Sequence, residues 1–206
     1  MLHPLMIVAA MLLSGVAAGQ AAAQEAIGTV SRIQGGASGE RGGATRTLDL
    51  NAPVFLNDVV STSEGARLEV TFADATRLTL GQKAKLTLDS YVFNPASGTI
   101  RFEVVGAFRF LSGRISKLAN ATVSVTTPVA VIGIRGTEFW AGPIDNQALG
   151  VLLLEGAVSV SNAAGEQILS QPGQGTNIGA PGAAPGPVTF WPADKVTRAL
   201  AAVTFQ

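Results

Sequence analysis

Residues 66–72 alternate strictly: Leu68, Val70 and Phe72 fall on one side of the chain, Arg67, Glu69 and Thr71 on the other. A period of two is the mark of a strand with one buried face. Asp74-Ala75 then predicts a turn, Leu78 and Leu80 resume the alternation, and Leu86 and Leu88 repeat it beyond Gly81. Arg67-Leu68-Glu69-Val70, Arg77-Leu78-Thr79-Leu80 and Lys85-Leu86-Thr87-Leu88 all run basic, apolar, polar, apolar. So short a spacing suits stacked rungs, and a meander of hairpins gives nearly the same pattern. Further strands are predicted over 99–105, 107–111, 121–126, 129–134, 149–154 and 157–160.

Glycines crowd residues 34–47, which read as a flexible loop. Nine of the sixteen residues over 172–187 are Gly or Pro, which predicts a linker without a ladder of its own. Beyond it, Pro192 suits the opening of a short helix with Val196, Leu200 and Val203 on one face. A helix that short must dock on the body or on a partner. The fold class is all-β: a solenoid-like or sandwich-like stack of short strands with a short C-terminal helix.

Composition narrows the function more than the fold. Of 206 residues, 14 are Lys or Arg and 14 are Asp or Glu, for a net charge of zero. The basic excess expected of a nucleic-acid binder is missing. Apolar residues make up 47% and charged residues 14%, which suffices for a packed core. Without cysteine there is no disulfide, thiolate nucleophile or zinc ribbon, and no lipid-bearing Cys.

The N-terminus reads as an export signal. Residues 5–18 are uncharged and mostly apolar, followed by Ala21-Ala22-Ala23, where cleavage fits the small-residue rule. The run is shorter than the about 20 apolar residues of a membrane span. The sole histidine, His3, lies within it, so the mature chain is expected to hold no histidine and no membrane span. Periplasmic or secreted placement follows, and a retained anchor is the rival reading.

Four pieces of sequence then fall in a telling order. Asn57-Asp58-Val59-Val60-Ser61-Thr62 is similar to a G-D-x-[IV]-x-T opening, with Asn57 in place of the glycine. Residues 66–80 include Asp74-Ala75-Thr76 where D-G-[ST] is usual. Residues 125–139 contain Thr127-Pro128 and Arg135-Gly136-Thr137-Glu138-Phe139, close to T-P-x-A-x-x-x-[VI]-R-G-T-x-F. Glu155-Gly156-Ala157-Val158-Ser159-Val160 is similar to an E-G-x-V-x-V close. In these pieces, spanning 56–160, the chain resembles the FecR domain family.

The resemblance implies an extracytoplasmic β domain used in signalling, with Asp58, Asp74, Thr127, Pro128, Arg135, Gly136, Thr137, Phe139, Glu155 and Gly156 as its structural signature. In the family's namesake proteins the domain receives a message from an outer-membrane transporter and lies in series with a membrane helix and a cytoplasmic segment; this chain is expected to be a stand-alone exported copy with neither of those two parts. The expected organisation is a signal peptide over 1–23, the FecR-like domain over 24–170, the linker over 171–187 and the helix segment over 188–206. The expected function is protein–protein recognition in envelope signalling or organisation, with a membrane-anchored regulator or a transporter signalling domain as the partner. The alternative is an envelope-glycan or adhesin-type module.

Candidate chemistry is sparse. Gly133-Ile134-Arg135-Gly136-Thr137 lacks P-loop spacing and reads as a tight β-corner. Arg135 stands among Val131, Ile132, Ile134 and Phe139, which predicts a buried guanidinium paired with Asp74 or Glu155. Asp58 and Asp74 suit turns, and no calcium loop is present. Trp140 is expected to pack inward or to cover a sheet edge, and Trp191 to dock the tail. No catalytic residue, cofactor or metal is assigned, and the chain reads as a non-enzyme.

Overall fold

The alternating segments pair edge to edge into one large sheet. A computed structural model of the chain describes residues 25–94 and 96–206; the predicted signal over 1–23 lies outside them. In chain order the strands are β1 (Gly28–Gln34), β2 (Ala37–Arg41), β3 (Ala44–Thr47), β4 (Pro53–Val54), β5 (Val59–Thr62), β6 (Arg67–Phe72), β7 (Arg77–Leu80), β8 (Lys85–Phe93), β9 (Gly98–Val105) and β10 (Phe108–Leu111). A single 3₁₀ turn, Ile115–Lys117, precedes β11 (Ala121–Thr126), β12 (Val131–Ile144), β13 (Gln147–Asn162), β14 (Gly165–Leu169), β15 (Gln174–Ile178) and β16 (Thr189–Phe190). The helix α1 (Ala193–Ala201) follows Pro192, as the sequence predicts.

The main path runs β3-β2-β5-β8-β9-β11-β12-β10-β7-β6-β1-β4, and β13 leaves it to pair with β12, β14 and β15. Its two end strands, β3 and β4, are neighbours in sequence, and Arg46 Nη2 on β3 donates to the Pro53 carbonyl on β4 at 3.1 Å. The sheet is curled until its ends meet. Phe72 on β6 stacks on Phe102 of β9 at 4.8 Å and on Tyr91 of β8 at 5.7 Å, although β6 and β9 are five steps apart along the path. The inward rows of both halves thereby share one core, which includes Val60, Leu68, Leu80, Leu88, Ile100, Phe110 and Val125. Of the three similar segments, the first two form the antiparallel hairpin β6–β7, while the third, β8, pairs instead with β5 and β9.

Two stretches read as loop or linker are ordered. Residues 34–47 form the hairpin β2–β3, turned at Gly42-Gly43, and Ala37 and Gly39 are buried in it. Glycine served here to admit the Arg46 guanidinium, which a side chain at Gly39 would meet at 3.1 Å. The Gly/Pro-rich stretch 171–187 contains β15, a run with no proline, paired with β13 from Leu149↔Ile178 to Leu152↔Gly175. From within β15, Thr176 Oγ1 donates to the Gly186 carbonyl at 2.6 Å, and Pro185 is buried, so the residues after the strand are fastened to the body.

Leu149-Gly150-Val151-Leu152-Leu153 is buried without a break, the pattern of a strand covered on both faces. Leu149, Val151 and Leu153 enter the main core. Leu152 and Trp140 face outward into a second cluster with Trp191, Ala199 and Val203. The tail docks there, through Trp191, and covers the outer face of β12 and β13.

Candidate functional site

Of the signature residues, Gly136, Thr137, Phe139, Glu155 and Gly156 gather where β12 and β13 meet, and Asp74 and Asp58 mark two further places. At the first, β12 and β13 both break register. Pairing steps from Arg135↔Ala157 to Glu138↔Glu155 and then to Phe139↔Leu153. Each strand thus gains one extra residue, and each changes the face it presents: Ile132 but then Phe139 and Ala141, Leu153 but then Val158 and Val160, enter the core. Such a bulge bends and twists a long strand. Gly136 and Gly156 adopt φ of 59° and 79°, and a Cβ on Gly156 would collide with the Gly136 carbonyl. The Thr137 hydroxyl donates to the Glu155 carbonyl, and Thr137 N–H donates to Ser112 Oγ at 2.9 Å. Phe139 seats the corner against Phe108 and Phe110, each 5.7 Å away.

Before this corner, Thr127 Oγ1 accepts from Ala130 N–H at 3.1 Å across Pro128, closing the turn from β11 into β12. The expected clamp on Arg135 is corrected: its side chain is exposed and pairs with neither Asp74 nor Glu155, itself exposed. Strict alternation places Arg135 on the outer face with Val131 and Gly133, while Ile132 is buried on the other.

At the second place, Asp74 is fully buried and gathers four donors. Thr76 N–H (3.1 Å), Thr76 Oγ1 (2.8 Å), Ile115 N–H (3.1 Å) and Tyr91 OH (3.1 Å) all reach its carboxylate. Burial, reinforced by the adjacent Asp74 carboxylate, pushes the Tyr91 phenol well above its usual range, which keeps it a donor. At the third, Asp58 is fully buried and accepts both Arg46 Nη atoms, one at 3.1 Å, and Phe55 N–H at 2.9 Å. Arg41 Nε stands 3.7 Å away, and Arg41 and Arg46 both lie over the Phe55 ring. Nothing in the sequence marks Arg46 or Tyr91 as a partner of these carboxylates, because the hairpin that brings Arg46 to Asp58 has the glycine content of a loop.

Both departures from the family pattern fall where the backbone is left-handed. Asn57 has φ of 66° and Ala75 has φ of 68°. Asparagine tolerates that region, whereas alanine pays a steric penalty there.

One candidate surface is the outer face around β12–β14. Thr122, Gly133, Arg135, Ala157, Ser159 and Ile168 line a shallow groove of about 470 Å³. Gly133, Ala157 and Ser159 carry little or no side chain, which leaves the space for this groove. On its rim β14 pairs, among the described residues, with β13 alone, and Ile168 is 64% exposed. Nothing in the sequence singled out Ile168, a lone apolar residue in a polar run. Trp140 and Trp191 are buried and Tyr91 is half-buried, so these three do not form an exposed aromatic platform of the kind a sugar site presents. Among the described residues no three His, Cys, Asp or Glu side chains converge to hold a metal ion, and no helix is long and apolar enough to cross a membrane.

Residues 58–159, from the buried Asp58 to the groove's Ser159, match the family model described as FecR protein. The chain belongs to the FecR family. Two crystal structures of a candidate anti-sigma factor from Parabacteroides distasonis ATCC 8503 are similar to it, with TM-scores of 0.56 and 0.55 at 20% identity. The alignments cover 69% of this chain and 63% and 64% of those chains, so this FecR-family chain spans less than two thirds of their length. At that identity the likeness is one of fold. No curated protein matches the sequence.

Proposed function

We propose that this FecR domain is a non-catalytic recognition module of envelope signalling that works outside the cytoplasm by binding a protein partner. Family membership and the candidate anti-sigma factors of similar fold support a signalling role. The observation that carries the recognition reading is the open edge of β14 beside the shallow groove. An unprotected edge invites pairing with another chain unless it is put to use. Strand addition needs backbone donors and acceptors rather than special side chains, which accounts for the absence of a conspicuous site in the sequence. The partner in this reading is a membrane-anchored regulator or a transporter signalling domain.

The test is affinity capture of the tagged protein from cross-linked cells, with fractionation and sequencing of the mature N-terminus. Cleavage after Ala23, recovery outside the cytoplasm and capture of a regulator or transporter are expected. Recovery with cell-wall glycan and no regulator would overturn the signalling reading.

A further inference from the structure

The free edge of β14 dictates the chemistry of the strand it takes. The β13–β14 hairpin turns through Ala163 and Ala164, with Asn162 facing Gly165. A two-residue loop makes that closing pair hydrogen-bonded, and bonded and unbonded pairs then alternate along the ladder. Val160↔Gln167 and Val158↔Leu169 are therefore bonded, while Ser161↔Glu166 and Ser159↔Ile168 are not. The N–H and C=O groups of Glu166 and Ile168 point away from β13 toward the open side, where β14 has no neighbouring strand among the described residues. The two side chains stand on one face, two residues apart. Ile168 is 64% exposed, and Glu166 is exposed with no ion pair to a described residue.

We propose that the occupant of this edge is an extended segment of another protein that sets an apolar side chain against Ile168 and a Lys or Arg against Glu166. Opposite charges and paired apolar residues across adjacent strands are the favourable combinations, and like charges there are unfavourable. A second copy of this chain is a poor match. The segment Gly165-Glu166-Gln167-Ile168-Leu169 holds no cation, and antiparallel self-pairing about Gln167 sets Glu166 against Ile168. The proposal rests on the strand-addition reading above and adds to it the register and the charge of the partner.

Two labelled peptides test it by fluorescence anisotropy against the full chain. Each carries threonines on one face; the other face holds a valine and, two residues away, an arginine in one peptide or a glutamate in its counterpart. The wild-type chain should prefer the arginine peptide by about tenfold, a preference that E166K reverses. I168P removes an edge N–H that the β13 ladder does not use; it should bind neither peptide while keeping its circular dichroism spectrum. Equal binding of the two peptides, or a preference that E166K leaves unchanged, overturns the charge assignment. Concentration-dependent dimers of the wild type that I168P abolishes would make a second copy the occupant and also overturn it. Partner capture from cells by I168P separates the two levels. Capture lost while E166K leaves the peptide preference unchanged sinks only the basic-residue assignment, whereas capture intact sinks strand addition itself.

Discussion

Replacing Arg46 by alanine should cost this domain more than replacing Asp58 by asparagine, although the two residues form one ion pair. Asp58 has a fully buried side chain, whereas Arg46 is 32% exposed. Removal of Arg46 strands a carboxylate away from water, with Phe55 N–H at 2.9 Å and Arg41 Nε at 3.7 Å as its remaining partners. Breaking a buried pair in that way costs about 3–5 kcal/mol. Asp58→Asn instead leaves a guanidinium that can turn toward solvent, and its loss is that of hydrogen bonds to a charged group, about 1.5–3 kcal/mol. For a chain of this length each kcal/mol moves Tm by roughly 2–4 °C, so R46A should melt some 6–20 °C below wild type and D58N clearly above R46A. Urea titrations of both variants and of R46M/D58L supply the assay. The double variant, which strands no charge, should be more stable than R46A alone. Equal losses for the two single variants, or a larger loss for D58N, would refute the claim that the buried carboxylate is the costly partner.

Other substitutions separate backbone from contact effects. Gly156→Ala should destabilise severely, because its Cβ meets the Gly136 carbonyl at a φ of 79°, whereas Gly136→Ala, with open space around it, should cost only the left-handed penalty of about 1–2 kcal/mol. Ala75→Gly should stabilise by about 0.5–1 kcal/mol in urea titrations: relief of that same penalty exceeds the added freedom of the unfolded chain. Because the Tyr91 phenol is pushed up in the folded state, its contribution is complete below the ordinary tyrosine value of about 10 and is lost as pH rises beyond it. Alkaline unfolding monitored by tryptophan fluorescence should lose that component in Tyr91→Phe.

The sequence makes strands legible wherever one face is buried, because the pleat then writes itself as alternation; β6, β7, β9 and β11 lie where the pattern puts them. It also marks α1 through Pro192 and the spacing of Val196, Leu200 and Val203. Legibility fails where a residue type has more than one physical use. Glycine over 34–47 makes room for Arg46 rather than for motion, and the Gly/Pro count over 171–187 hides a proline-free run long enough for β15. Arg135 illustrates the opposite error, since its apolar neighbours Ile132 and Phe139 are buried in the core while Arg135 itself lies on the exposed outer face. Asp58 and Asp74 were visible as signature residues, but their partners Arg46, Tyr91 and Ile115 come from other elements and no spacing announces them. The open edge of β14 is a property of topology and has no residue signature at all.

The central claim is that the signature residues build the scaffold while recognition takes place at the β14 edge. Its most direct test is photo-cross-linking in living cells, with a photoreactive residue placed at position 168 and, as a control, at position 77, an exposed position on β7 away from that edge. The account predicts that position 168 captures a membrane-anchored regulator or a transporter signalling domain and that position 77 does not. Capture of that partner from position 77, or no protein adduct from position 168, would contradict it.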